Sequence, residues 1–105
     1  MMQTPSDSIE VVPGTGMPPV TVRAHVGRPR SSTREDGPGI AVLDHLVILT
    51  QPGALPESLS VGSGAGATVN YQGRTWRPIS TQITHRVHGR DHHTSVTVEA
   101  ETVAQ

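Results

Sequence analysis

A chain of 105 residues with a formal net charge of −1 holds at most one small domain, and its near-neutral balance argues against an autonomous nucleic-acid binder, which usually carries a basic excess. It has no cysteine and no lysine, all 8 basic residues being arginine, which excludes disulfides, thiolate ligands, a cysteine nucleophile, a Walker-type lysine and Schiff-base chemistry. Leu, Ile and Val total 23 residues with no Phe, against 34 of Gly, Pro, Ser and Gln, so the expectation is a folded core of about 60 to 70 residues with mobile pieces attached and partners adding to its stability.

Residues 1–19 carry "PSDS", "PGTG" and "PP" around the short apolar patch "IEVV". They read as a flexible N-terminal arm, able to add a strand to a partner, ahead of a small β-barrel domain over 20–105. The opening "MMQTPSDSIE" lacks a basic region followed by an apolar run, so it does not read as a secretory signal. No apolar stretch approaches the ~18 residues of a membrane span. A cytoplasmic product is therefore expected.

In "VTVRAHV" (Val20 to Val26), Val20, Val22, Ala24 and Val26 share one face, which predicts a half-buried strand. "GRPRSSTREDGPG" (Gly27 to Gly39) has no apolar residue and is bracketed by Gly and Pro, which predicts a long exposed loop. Loops of this length inside a compact domain are usually functional or disordered. "IAVLDHLVILT" (Ile40 to Thr50), β-branched and closed by "QPG", predicts a central strand. "LPESLSVG" predicts a turn positioning Leu59 and Val61, and "GSGAG" a flexible one.

"ATVNYQGRTW" predicts a β-hairpin about the two-residue turn Gln72-Gly73, bringing Tyr71 and Trp76, the only large aromatics, together as core anchors. Ile79, Ile83 and Val87 then alternate as one set, with a bulge expected at Pro78. "GRD" turns the chain, and "TSVTVEA" returns with Val96 and Val98 inward. No segment reads as a long amphipathic helix. The expected class is all-β, a small barrel or sandwich of about six strands with a long inserted loop.

Four of the 6 histidines lie between His85 and His93. A zinc site needs three or four converging ligands. His88 could meet His92 or His93 across the turn, with Asp91 near, but nothing supplies the remaining ligands in known register. The residues favour polar positions around an exposed hairpin tip, and no metal or cofactor is expected. There is no G-x-S-x-G nucleophile elbow, and "VGSGAG" leads into a strand where a phosphate cradle needs a helix N-terminus. No catalytic site is expected. In the loop, Arg28, Arg30 and Arg34 stand against Glu35 and Asp36, either as a solvated segment or as one contacting a charged partner or nucleic acid through arginine forks.

With "DHLVILT", "VGSGAGATVNYQGRTWRPIS", "HGRDHH" and "TSVTVEAE" in this order, residues 20 to 100 resemble the head-to-tail connector proteins of long-tailed bacteriophages, the stopper or head-completion family. A "V-x-x-x-G-R-x-W/Y-x-V" strand pair, a polar turn and a terminal strand opened by His and Thr mark that family. Val69, Gly73, Arg74, Trp76 and the stretch His92 to Val98 occupy those places, while Pro78 stands where an aliphatic residue is usual.

The resemblance implies a structural protein of the virion neck, assembled in the host cytoplasm. It would form a homo-oligomeric ring, resembling a dodecamer, between the portal and its adaptor and the tail terminator or tail tube. One loop would project into the channel and help retain packaged DNA. On this chain that loop is 27–39, with Arg28, Arg30, Arg34, Glu35 and Asp36 facing channel and DNA. Two alternatives remain beside it. A tail terminator would be expected to carry a helix packed on its sheet, and a small β-barrel binding module for peptide or nucleic acid would need an exposed aromatic platform.

Overall fold

In a computed structural model, residues 7–36 and 39–104 are described, together with the side chains of 7–31 and 43–100. Eight strands run in chain order: β1 Asp7–Val12, β2 Val20–Val26, β3 Arg30–Asp36, β4 Gly39–Thr50, β5 Thr68–Tyr71, β6 Arg74–Pro78, β7 Ile83–Val87 and β8 Arg90–Ala104. All pairings are antiparallel. Six strands, in the order β4-β2-β1-β5-β6-β8, close into a barrel through the long β4–β8 ladder, and β3 and β7 are added outside that circuit. Among the described residues there is no helix.

The β4–β8 ladder runs unbroken from Ile40↔Ala104 to Thr50↔Thr94 and organises the rest. The other edge of β4 is shared: β2 takes Ile48 and Leu49, while β3 takes Gly39 to His45. The other edge of β8 is likewise divided between β6, at Val98 and Glu99, and β7, from Arg90 to Ser95. Two ribbons therefore leave opposite ends of the barrel, β3–β4 backed by the end of β8, and β7–β8. The molecule measures 50 Å along its long axis and 28 by 24 Å across. At about 3.3 Å per residue, the fifteen residues of β8 could span that length.

Alternation decides what faces inward. Ile9 and Val11, Val22 and Ala24, Leu46 and Ile48, Val69, Trp76, Val96, Val98 and Ala100 fill the barrel, each from the same-parity face of its strand. The connection between β4 and β5 adds Leu55, Leu59 and Ala67 to this core. Gln82 holds that connection in place, its Nε2 donating to the carbonyls of Pro56 (2.6 Å) and Leu59 (3.2 Å). Gly66 sits at φ +72° beside the β1–β2 turn, where a Cβ would collide with Thr15 Oγ1, so both backbone and space demand glycine there.

Gln72 and Gly73 form the predicted hairpin turn with φ of 52° and 73°, both positive as a type I′ turn requires. Val69 stands opposite Trp76. Trp76 is buried, and Tyr71 packs against the core.

Four expectations need correction. The arm over 1–19 is not separate from the domain beyond residue 6: β1 lies between β2 and β5, with Ile9 and Val11 fully buried, and residues 1–6 fall outside the described residues. The strand that "SIEVV" can add is added to the chain's own barrel. The insertion over 27–39 is present, but its backbone is not an unpaired loop, since 30–36 ladder against β4. Ile79, Ile83 and Val87 do not point into the core; they are 37%, 51% and 46% exposed, because β7, which holds Ile83 and Val87, and the segment from Ile79 that leads into it lie outside the closed circuit. The bulge falls at His85/Arg86 and not at Pro78, and the last turn is His88-Gly89, both with positive φ.

Candidate functional site

The polar ribbon grows from the segment joining β2 to β3. Arg28 and Arg30 are exposed at its base. Arg34, Glu35 and Asp36 lie further along β3, opposite Ala41, Ile40 and Gly39; their side chains are outside the described residues. The five candidates thus share one hairpin, ordered from its base outward.

Cross-strand register assembles a charged row on the outer wall beside that base. Arg30 pairs with His45, His45 with Glu99, and Glu99 with Arg77, one residue from each of β3, β4, β8 and β6. Arg77 donates from Nη2 to Glu99 Oε1 at 3.0 Å. His45 Nε2 lies 3.3 Å from Glu99 Oε2, close enough for an ion pair, yet it is buried and makes no hydrogen bond. The contact is one of proximity without donor alignment. Beside the row, Gly27, Arg28, Arg30, His45 and Val47 line a cleft of 410 Å³.

A second polar group caps the barrel at the same end. Asp44, on the inward parity of β4, accepts from Arg74 Nη1 at 2.6 Å and from the Ser31 hydroxyl. The Ser31 hydrogen bond and then the Arg74 guanidinium hold its carboxyl below the usual carboxylate range. Arg74 also lies 4.8 Å over the Trp76 ring, so one arginine joins the polar cap to the aromatic floor of the core.

At the far ribbon, the histidines meet in a different set from the one the sequence offered. His85 and His93 are cross-strand partners with rings stacked at 4.4 Å, and His92 Nδ1 lies 2.9 Å from His93 Nδ1. His85 Nε2 contacts Ser95 Oγ at 3.0 Å. His88 occupies the turn, and Asp91 is taken by Arg86 at 3.0 Å. Burial, with His85 and His92 alongside, holds His93 below the ordinary imidazole value. Among the described residues, no three or more His, Asp or Glu side chains are placed to hold a metal ion.

Sequence reasoning missed His45, Glu99 and Asp44. Nothing near them in the chain marks them, because ladder register alone brings them to the hairpin base. Compared with known protein families, with curated proteins and with solved structures, the chain finds no match in any of the three.

Proposed function

We propose that this chain is a structural protein of the bacteriophage neck, a head-to-tail stopper. Copies form a ring between the portal and adaptor and the tail, and the β3–β4 ribbon reaches toward the channel and helps to retain packaged DNA. The observation that carries this reading is the β3–β4 ribbon, whose polar β3 arm projects from a closed β-barrel with Arg28 and Arg30 at its base. A ladder-paired ribbon is a stiffer gate than an unpaired loop, and the lack of apolar residues along its β3 arm, over 27–39, suits a water-filled lumen lined by phosphate. The all-β build favours a stopper over a tail terminator, for which a packed helix is expected. Trp76 is buried, which removes the larger half of the aromatic platform that a peptide- or nucleic-acid-binding barrel would present.

Electron microscopy of the purified protein, alone and mixed with portal–adaptor complexes, tests the proposal. Rings, or density capping the adaptor, are the expected result. Monodisperse monomers that bind nothing in the mixture would overturn it. In particles, reversing Arg28, Arg30 and Arg34 to Glu should preserve assembly while increasing loss of packaged DNA, through repulsion from phosphate.

A further inference from the structure

Arg28, Pro29 and Arg30 carry the chain from β2 into β3. Proline fixes its own φ and confines the residue before it to extended geometry. In an extended chain, residues two apart project to the same side. The sequence Arg-Pro-Arg therefore aims two guanidinium groups together and restricts how far they can diverge. The structure agrees: the 410 Å³ cleft is lined by Arg28 and Arg30, and Pro29 is not part of the lining. The Gly27 amide donates to the Val47 carbonyl at 3.0 Å, which ties the segment to β4 and fixes the cleft floor.

Neither Arg28 nor Arg30 has an ion pair or hydrogen-bond partner among the described residues. Glu99, which the register places beyond His45, is already engaged by Arg77 at 3.0 Å. His45 lines the cleft, its buried Nε2 turned toward Glu99 Oε2 at 3.3 Å. Two guanidinium forks, unpaired among the described residues, thus face one cavity walled by His45 and Val47.

We propose that this cleft is a binding site for a phosphate group, with Arg28 and Arg30 gripping its oxygens and His45 and Val47 forming its wall on β4. Guanidinium forks match pairs of phosphate oxygens. A phosphate, with three or four oxygens, can take both forks at once on separate oxygen pairs. Pro29 lowers the entropy lost on binding, because the arms are held near their bound direction beforehand. Free phosphate and a nucleic-acid strand present the same group, so the site stands independently of the neck reading.

Titration of the full chain, followed by amide and arginine side-chain NMR signals, tests this with two probes: inorganic phosphate against sodium chloride of equal ionic strength, and a short DNA duplex. Phosphate should give saturable shifts centred on Gly27, Arg28, Arg30, His45 and Val47 that chloride does not reproduce. Arg28→Gln and Arg30→Gln should each weaken binding by about tenfold or more, the loss of one charge-assisted contact. Arg23→Gln, an exposed arginine elsewhere on β2, should leave it unchanged. A duplex that shifts the same signals identifies a nucleic-acid strand as the source of the group, and one that leaves them unmoved while phosphate binds identifies a free phosphate. Absence of saturable shifts with both probes, or equal weakening by Arg23→Gln, would overturn the proposal.

Discussion

Replacing Trp76 with alanine removes the largest fully buried side chain of the protein. A buried tryptophan contributes about 200 Å² of contact, and at ~25 cal/mol per Å² this is worth about 5 kcal/mol. Alanine keeps part of that, and core Trp→Ala changes cost about 3–5 kcal/mol once the cavity is counted. Two further contacts go with the ring: the Nε1 hydrogen bond to the Tyr71 carbonyl at 3.2 Å and the Arg74 guanidinium stacked at 4.8 Å. Domains of this size have about 5–15 kcal/mol in total, and 1 kcal/mol shifts the melting temperature by about 4–8 °C. The variant should therefore melt about 12–40 °C lower by circular dichroism, or fail to fold. Trp76→Phe, which keeps most of the apolar volume, should fall between. Because Trp76 is the only tryptophan, wild-type fluorescence reports this site alone. It should be blue-shifted and resist acrylamide until unfolding. A Trp76→Ala variant melting within a few degrees of wild type would refute the assignment of the core.

Gln72→Asn should stabilise the protein by about 0.5 kcal/mol, read as a raised urea midpoint at constant m-value, because asparagine tolerates the positive φ at the first turn position better than glutamine. Zinc or nickel should leave the melting temperature unchanged, and a metal-dependent rise abolished by His92→Ala with His93→Ala would contradict the description of the histidine ribbon. Stability should fall with acidification in two windows. His93, favoured neutral in the fold, contributes stability above the ordinary imidazole value of 6.5 that is lost as pH falls through its lowered folded value. Asp44, favoured ionised, contributes stability above 3.8 that is lost as pH falls through its own lowered value. Urea midpoints across pH 8 to 2 would show both, and His93→Asn should flatten only the first.

Much of the barrel is legible in the sequence, and the reasons for the remainder are physical. β2, β4, the Gln72-Gly73 hairpin and the inward Val96 and Val98 follow from period-two alternation and from a glycine where the turn needs positive φ. β1 has the same alternation, Ile9 and Val11 inward between Ser8 and Glu10, but only over six residues between proline-rich flanks. Its place depends on Val69, far along the chain, which no local pattern can reveal. β3 has no apolar face to detect; the backbone ladder to β4 makes it a strand. Ile79, Ile83 and Val87 show the converse. Periodicity tells which residues share a face, and the closure of the barrel decides whether that face is buried. Of the candidate site, Arg28 and Arg30 are visible together with Arg34 in one polar segment, whereas His45 and Glu99 reach them only through a register across three strands.

The division of labour along β8 also dictates an order of events in biosynthesis. Residues 90–104 supply partners to β4, β6 and β7 at once, and the barrel circuit closes only through β4–β8. Until β8 has left the ribosome, β4 has no partner on one edge, and its apolar run "LVIL" (Leu46 to Leu49) is exposed on the nascent chain. The local β1–β2 and β5–β6 hairpins can form early, but the docking of β1 against β5 and the closure itself join segments distant in sequence, which is the slow and aggregation-exposed part of β folding. Folding is then completed by a single segment, and interruption of synthesis before residue 90 releases a chain with an open, adhesive edge.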